Sequence, residues 1–363
     1  MASCAVIIMI ACHLMIHMSA SDPRLEQLQD WLRRELRLAV VRVAPASADA
    51  SFRRYFRVWS ADGATRIVMD APPEREDIGQ YLRVSALLER CEVHVPRVHA
   101  SDLRGGFVLL EDLGSSQYLS QLRAGEAVDA LYRDALETLL RIQIRGREAA
   151  SELPAYDRAV LWREMALMPE WFCARHLRLQ LAEAECTLLG VTFEFIITEA
   201  LAQPNVLVHR DYHSRNLMRL EQRNPGVIDF QDALIGPCGY DLVSLLKDCY
   251  IEWPRARVEA WVRAYRAQLI AAGGDGGSSE AVFLRWFDLI GLQRHIKVLG
   301  IFARLWYRDG KSGYLGDLAR TLCYVREAAR GFEELREFSL WVDSRLAPQL
   351  PHANARALSG ASA

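Results

Sequence analysis

Alternating apolar and polar positions divide the chain into a strand-rich first part and a helical second part. Short segments with an apolar residue at every second position are typical of β-strands. The Asp62-Gly63 pair between two of these segments is a hairpin turn signal. We therefore predict a small, mainly antiparallel sheet. Its strands are expected at Val40–Val43, Arg54–Ser60, Thr65–Asp70, Arg97–Ala100 and Gly106–Leu110.

Segments with helical periodicity precede the predicted sheet, interrupt it and make up most of the chain after it. Ser21-Asp22-Pro23 followed by apolar residues at helical spacing as far as Leu36 predicts a capped amphipathic helix. A second helical pattern begins at Ile78, and from 114 to 346 the pattern is mostly helical. The predicted fold class is α+β, with a small antiparallel-sheet N-lobe and a larger helical C-lobe. Short strands are expected among the later helices at 206–208, 217–220 and 227–228.

The patterning also predicts where the domains begin and end. Residues 2–18 are almost entirely apolar, but no Lys or Arg precedes Arg24, so the basic region of a secretory signal is missing. The run is also short for a membrane span. We expect a disordered or dispensable extension over 1–20, an N-lobe over 21–113, a C-lobe over 114–346 and a flexible tail over 347–363.

Composition narrows the class of protein and its partners. The 363 residues carry a net charge of −2, which gives no argument for a nucleic-acid or membrane partner. The eight cysteines form no C-x-x-C pair, which favours reduced thiols in a cytoplasmic enzyme. We expect a monomer that acts on a small molecule.

The strongest chemical signal is Val-Leu-Val-His-Arg-Asp-Tyr-His-Ser-Arg-Asn-Leu-Met at 206–218, followed by Val-Ile-Asp at 227–229. Phosphoryl transfer needs a carboxylate that aligns the acceptor hydroxyl and oxygen ligands for magnesium. Asp211, at the end of a predicted strand, suits the first task. Asn216 and Asp229 suit the second. Each of these residues alone is typical of a turn, but the ordered set favours a kinase site.

His209-Arg210-Asp211 with Asn216 and Asp229 resembles the catalytic loop and the magnesium-binding Asp of kinases. Protein kinases carry a Lys at the position of His213, and no Ala-Pro-Glu follows to close a long activation loop. The chain is therefore similar to the aminoglycoside phosphotransferase/choline kinase-like superfamily. This resemblance implies a protein-kinase-like two-lobe fold with ATP and Mg²⁺ as cofactors. It also implies that His209, His213 and Asp241 support the catalytic loop, with Asp241 as a buried brace.

Three flanking segments resemble the bacterial anomeric kinases for N-acetylmuramate and N-acetylglucosamine. They are 47–58, 68–74 and 293–304, and the resemblance extends from about residue 22 to 345. It implies transfer of the γ-phosphate to the C1 hydroxyl of an amino sugar in peptidoglycan recycling. Two alternatives stay open. One is a kinase for an aminoglycoside, choline or homoserine-like substrate, and the other is a nucleotide-binding pseudokinase.

The expected nucleotide site departs from the kinase pattern in two ways. No Gly-x-Gly-x-x-Gly loop is present, so Ser51 and Arg54 are the candidates for phosphate contacts, although packed aromatics with solvated arginines fit equally well. Met69 replaces the expected Lys of the third strand. Glu111 and Leu113, which follow the last strand, are expected to lie at a hinge where backbone groups meet the adenine, with a surface turn as the alternative.

The segment 292–306 carries cations at helical spacing. Arg294, Lys297, Arg304 and Arg308 have no acid between them, so either solvent or an anion faces this stripe. Arg294, Lys297 and Arg304 are therefore candidate substrate contacts. We expect Arg304 to bind the lactyl carboxylate that N-acetylmuramate has and N-acetylglucosamine lacks. Tyr212 is a further candidate, as an aromatic platform for the sugar.

Overall fold

The computed structural model describes residues 22–47, 52–147 and 152–360, which form two compact units. The first unit comprises the described residues up to Gln80 together with Arg97–Asp112. The second comprises Tyr81–Pro96 and the described residues from Leu113 onward. The predicted extension over 1–20 lies outside the described residues.

The first unit is built on a five-stranded antiparallel sheet. Helix α1 (Pro23–Asp30) precedes it, with the Asp22 carboxylate accepting a hydrogen bond from the Leu25 amide and Pro23 at the first helical position. This is the predicted cap. A π-helical turn, Trp31–Glu35, continues α1. The strands are β1 (Val40–Ser47), β2 (Arg54–Ser60), β3 (Thr65–Asp70), β4 (Val98–Asp102) and β5 (Phe107–Glu111), in the order β1-β2-β3-β5-β4.

The predicted strands of this unit are confirmed, and so is the hairpin turn. Gly63 has a φ of +79°, a backbone conformation that Asp-Gly turns favour. Helix α1 packs on one face of the sheet because its apolar stripe and every second strand residue are buried together. The resulting core contains Leu28, Trp31, Leu32, Phe56, Val58, Val68, Phe107 and Leu109.

The second unit is mostly helical, as predicted. Helix α2 (Ile78–Arg90) begins in the first unit and runs into the second. The remaining helices are α3 (Tyr118–Arg123), α4 (Val128–Arg145), α5 (Arg158–Met165), α6 (Glu183–Leu201), α7 (Tyr240–Leu246), α8 (Arg255–Ala271), α9 (Glu280–Asp309), α10 (Leu318–Arg330), α11 (Arg336–Trp341) and α12 (Leu350–Gly360). Shorter helical turns cover Met168–His176, Ser312–Asp317, Glu333–Leu335, Val342–Leu346 and Ala347–Gln349.

Two small antiparallel sheets lie among these helices. Strand β6 (Asn205–Val208) pairs with β9 (Leu234–Pro237), and β7 (Leu217–Met218) pairs with β8 (Gly226–Val227). Sequence patterning did not predict β9, because Gly and Pro at its end are typical of turns. At Gly236 a side chain would approach Cβ of Tyr156 to 2.7 Å, so the close packing of β9 on this tyrosine requires glycine.

Two predicted boundaries differ from the structure. Residues 81–96 belong with the second unit, since the Tyr81 ring packs on Phe230 at 4.8 Å and the Val227 amide donates to the carbonyl of His94. The expected flexible tail from 347 is helical as far as residue 360. It is held because Leu350, Ala353 and Ala357 are buried.

Within the described residues, no helix combines the length and the apolar character needed to cross a bilayer. The six cysteines in the part of the chain that the structure describes have free thiols.

Candidate active site

The candidate site is carried by the segment between β6 and β7 and by the residues that follow β8. The buried strand β6 ends at Val208 and delivers residues 209–216 as an irregular loop. The β7–β8 hairpin then returns the chain, so that Asp229 emerges beside this loop. All of these elements belong to the second unit.

Asp241, in the first turn of α7, holds the start of the loop. Its carboxylate has no exposed surface and accepts hydrogen bonds from the amides of His209 (2.6 Å) and Arg210 (3.0 Å). Arg210 has a φ of +77°, a conformation that costs free energy for a residue with a side chain. The two hydrogen bonds to Asp241 stabilise this unusual backbone.

His209 connects the loop to the segment after β8. Its Nδ1 accepts a hydrogen bond from the Asp211 amide at 3.2 Å, and its Nε2 donates to the carbonyl of Ile228 at 3.1 Å. Burial lowers the pKa of His209 to about 4, so the ring is neutral at physiological pH. A neutral ring with one donor and one acceptor satisfies both bonds at once.

Asn216 brings the three predicted residues together. Its side-chain nitrogen donates to the carbonyl of Asp211 at 3.0 Å and lies 3.4 Å from Oδ2 of Asp229. Asp229 has a φ of +63°, and its other oxygen accepts from Gln231 Nε2 at 2.9 Å. The side-chain oxygens of Asn216 and Asp229 are hard ligands of the kind magnesium prefers, so this donor set fits the ion.

Asp211 is an accessible carboxylate in a cationic setting. Its side chain is 43% exposed, and Oδ1 lies 3.9 Å from Nη1 of Arg294. Partial burial acts to raise the pKa of Asp211. The charges of Arg294 and Lys297 outweigh that effect and lower the pKa to about 2. The group is therefore ionised at neutral pH.

A buried polar cluster, formed by Tyr156, Glu164, Arg210, Tyr240 and Lys297, lies behind Asp211. Glu164 accepts from Nζ of Lys297 at 2.9 Å and is also bonded to Arg210 and Tyr156. Lys297 donates in addition to the hydroxyl of Tyr240 at 3.1 Å. Buried charges are stable only when they are paired and hydrogen-bonded, and this cluster meets that condition.

Sequence reasoning missed Glu164, Tyr156 and Tyr240, because they come from three separate segments. One signal was present in α5, where Leu161, Glu164 and Met165 occupy buried positions at helical spacing. An acid on an otherwise apolar helical face indicates a buried cation opposite it.

The four cations of the predicted stripe on α9 differ in how far they are buried. Arg294 and Lys297 are 3% and 5% exposed, so a solvated face is the wrong interpretation for these two. Arg304 is half-buried, and its Nε has no hydrogen-bond partner among the described residues. Burial and the nearby Arg308 lower the pKa of Arg304.

Tyr212 is not available to a sugar. Its ring has no exposed surface, and its hydroxyl donates to the carbonyl of Ala135 at 2.8 Å. The expectation of an aromatic platform at this position is therefore wrong, because the ring belongs to the core. The His213 ring packs edge-on against the Tyr250 ring, with 5.3 Å between the ring centroids. Burial lowers the pKa of His213.

Of the predicted nucleotide contacts, Arg54 and Glu111 belong to the first unit and Leu113 to the second. Ser51 is outside the described residues. The Arg54 guanidinium is bonded to Asp22 and to the fully buried Asp70, so its charge is already paired. Glu111, at the end of β5, accepts from the Arg97 amide at 3.2 Å, and Leu113 is buried.

Comparison with known proteins agrees with this geometry. Residues 42–277 match the phosphotransferase enzyme family. The chain belongs to this family. The predicted superfamily and the predicted class of enzyme, a phosphotransferase, are confirmed.

Curated relatives of this phosphotransferase match it over most of its length. An N-acetylmuramate/N-acetylglucosamine kinase of Pseudomonas putida is 44% identical over 330 residues, which cover 88% of this chain and 96% of that protein. A protein of the same name from Pseudomonas aeruginosa is 45% identical over 328 residues, with the same coverage.

Solved structures confirm the predicted fold class. ADP-bound aminoglycoside phosphotransferase APH(2″)-Ib aligns with a TM-score of 0.56 at 14% identity, covering 83% of this chain and 98% of that one. At this level of identity the likeness concerns the fold, and substrate preference has to be argued from the site.

Proposed function

We propose that this phosphotransferase uses ATP and Mg²⁺ to phosphorylate the anomeric C1 hydroxyl of N-acetylmuramate and N-acetylglucosamine. The observation that carries the proposal is the convergence of Asp211, Asn216 and Asp229 through the Asn216 amide. The names of the relatives at 44% and 45% identity support the choice of acceptor.

In this proposal Asp211 aligns the C1 hydroxyl with the γ-phosphorus. The hydroxyl oxygen forms a bond to phosphorus, the bond to the ADP oxygen breaks, and the hydroxyl proton passes to the Asp211 carboxylate. A carboxylate with a pKa of about 2 is a weak base, so its main contribution is orientation, with proton transfer late in the reaction. Orientation of the hydroxyl with late proton transfer suits a loose transition state, in which little negative charge has to be developed on the attacking oxygen.

Asn216 and Asp229 would hold Mg²⁺, which neutralises charge on the phosphate oxygens when it is bound. Asp241 and His209 contribute by holding the loop, since they accept hydrogen bonds from the amides of His209, Arg210 and Asp211. We further propose that residues 21–113 serve nucleotide binding, with Ser51, Arg54, Glu111 and Leu113 as candidates. To contact a phosphate, the Arg54 guanidinium has to break or share its ion pairs with Asp22 and Asp70.

The charges around Asp211 bear on the alternatives. Aminoglycosides and choline are cationic, and homoserine carries an ammonium group, so each of these substrates needs an acidic partner in its site. Arg294 and Lys297 instead make the surroundings of Asp211 cationic. A pseudokinase is suggested only by Met69, which is fully buried in β3 and supplies no charge to a phosphate.

An acceptor panel tests the proposal. Purified protein is incubated with labelled ATP and Mg²⁺ and with each of the two amino sugars, an aminoglycoside, choline or homoserine. We expect transfer to the amino sugars and loss of the phosphate on mild acid treatment, as an anomeric phosphate requires. Transfer to a cationic acceptor would favour the first alternative. ATP binding without transfer to any acceptor would favour the pseudokinase.

A further inference from the structure

Arg215 occupies an unusual position in the catalytic loop, directly before Asn216. Its guanidinium lies over the ring of Tyr250, with 4.8 Å to the centroid, and over that of Tyr314, with 5.5 Å. The backbone at this point is anchored, because the Ser214 amide donates to the buried Asp248 carboxylate at 3.0 Å. The side chain is therefore held in one orientation by the faces of two aromatic rings.

Unlike the nearby Arg210 and Arg294, Arg215 has no carboxylate beside its guanidinium among the described residues. Arg210 pairs with Glu164, and Arg294 lies beside Asp211. In the part of the chain that the structure describes, no carboxylate pairs with the Arg215 guanidinium, whose partners are Tyr250 and Tyr314. A half-buried arginine held by aromatic rings and without an acid is preorganised for an external anion.

The direction of the side chain indicates which anion it meets. Asn216 faces Asp229, whereas Arg215 faces the segments that follow α7 and α9. The His213 ring contacts the same Tyr250, and the His213 amide donates a hydrogen bond to the carbonyl of Asp211 at 3.0 Å. His213, Tyr250 and Tyr314 are each partly exposed. Asp211 and Arg215 are thus connected along a partly exposed path through His213 and Tyr250, and the contacts of Arg215 are with other segments than the one that carries Asp229.

We propose that Arg215 binds the lactyl carboxylate of N-acetylmuramate and so determines the preference for this sugar over N-acetylglucosamine. This inference rests on the proposed function, because it assigns a residue to one of its two acceptors. The lactyl group is attached at C3, two ring carbons from C1. Its carboxylate can therefore extend beyond the C1 hydroxyl that Asp211 aligns. Arginine suits the task because its planar fork grips a carboxylate through two hydrogen bonds.

Arg215 replaces the sequence-based candidate Arg304 in this role. Arg304 lies on α9, and its Nε has no hydrogen-bond partner among the described residues, in the loop 209–216 or elsewhere. Arg215 is part of that loop, and the faces of Tyr250 and Tyr314 hold its guanidinium there.

The test compares three acceptors and two forms of the enzyme. The acceptors are N-acetylmuramate, its lactyl methyl ester and N-acetylglucosamine, and the variant is Arg215→Gln. A hydrogen bond to a charged group contributes about 1.5–3 kcal/mol, so we expect kcat/KM for N-acetylmuramate to fall about 10- to 100-fold relative to that for N-acetylglucosamine. The loss should appear mainly in KM for the acid sugar.

The ester supplies an independent readout. The wild-type enzyme should prefer the acid to the ester by a similar factor, whereas Arg215→Gln should not distinguish them. Arg215→Lys should restore part of the preference, since it keeps the charge but not the fork. Arg304→Gln and Arg308→Gln serve as matched controls and should keep the wild-type ratio of acid to ester.

Several results would overturn the assignment to Arg215. They are an equal loss on both sugars, a rise in KM for ATP alone, a wild-type enzyme indifferent to esterification, or a loss of acid preference in Arg304→Gln. A wild-type enzyme that phosphorylates neither sugar would instead overturn the proposed function, together with this inference. If Arg215→Gln does not fold, the wild-type ester ratio and Arg215→Lys decide the question.

Discussion

The middle and the C-terminal end of helix α9 carry similar cations in very different surroundings. Near its middle, Arg294 and Lys297 are buried beside Asp211 and Glu164. Two turns later Arg304 is half-buried, and Arg308 is exposed and paired with its neighbour Asp309. We call these the inner pair and the outer pair of α9.

The difference between the pairs arises from their partners. Glu164 and the Tyr240 hydroxyl satisfy Lys297, so a charge that would otherwise be too costly to bury becomes stable. In the outer pair, Arg308 pairs with the surface acid Asp309, and exposed pairs of this kind contribute about 0–1 kcal/mol. Cations at helical spacing therefore do not reveal function until the residues opposite them are known.

The largest expected effect comes from the carboxylate beside the inner pair. Asp211→Asn keeps the shape of the side chain but removes the charge that aligns the hydroxyl. We expect kcat to fall about 10³-fold or more, within the range for loss of a positioned proton acceptor. Steady-state phosphate transfer measures it, with circular dichroism as the check on folding. A variant that retains a tenth of the wild-type rate would remove Asp211 from the mechanism.

Glu164→Gln tests how the inner pair is stabilised. The substitution leaves Arg210 and Lys297 buried without their shared carboxylate, and breaking a buried pair costs about 3–5 kcal/mol. Urea unfolding measures the loss. Glu170 is exposed and serves as the matched control. Glu170→Gln should change the free energy of unfolding by less than about 0.5 kcal/mol, as is usual for surface substitutions. Equal effects for the two variants would contradict the contrast between buried and exposed positions.

His295 makes the inner part of α9 sensitive to acid. Its Nε2 donates to the carbonyl of Lys247 at 2.9 Å, and burial lowers its pKa to about 3. Between the unfolded pKa of about 6.5 and the folded value, only the unfolded chain binds this proton, so stability falls as pH falls through that window. Above about 6.5 the contribution is fully present.

Replacing this ring should flatten the acid dependence. We expect His295→Gln to lower the slope of unfolding free energy against pH by about 1.4 kcal/mol per pH unit between pH 4 and 6. The exposed His352 provides the control, since His352→Gln should leave the slope unchanged. Identical slopes for the wild type and His295→Gln would refute the buried neutral ring.

The smallest effect is expected at the outer pair. Arg308→Gln removes only an exposed contact with Asp309. The free energy of unfolding should therefore change by less than about 0.5 kcal/mol, and activity by less than about twofold. Unfolding and steady-state assays both measure this. A large loss would show that the outer pair serves the site after all.

Local patterning predicted the elements of the first unit because β2 and β4 alternate, β5 is a short apolar run and Asp62-Gly63 marks the turn. It failed where tertiary contacts decide the outcome. Strand β9 forms because Tyr156 packs on Gly236, and helix α12 persists because its apolar face is covered. Residues 81–96 join the second unit through Tyr81 and Phe230, which are far apart in sequence.

The candidate site shows the same limit. Asp211, Asn216 and Asp229 were predicted because they lie within one short stretch of characteristic spacing. Glu164 and Tyr240 were not, since only the folded chain brings them to Lys297. Tyr212 was misread because an aromatic residue in a catalytic loop gives no sign of whether it faces substrate or core.

The position of the phosphate on the sugar tests the proposed phosphorylation of the C1 hydroxyl most directly. Wild-type protein is incubated with ATP, Mg²⁺ and N-acetylmuramate or N-acetylglucosamine, and the product is examined by ³¹P–¹H correlation NMR. We expect a phosphorus signal coupled to the anomeric proton H1, and about 10³-fold less of this product from Asp211→Asn in the same incubation time. A signal coupled to another sugar proton, or a yield from Asp211→Asn close to that of the wild type, would refute the proposed reaction.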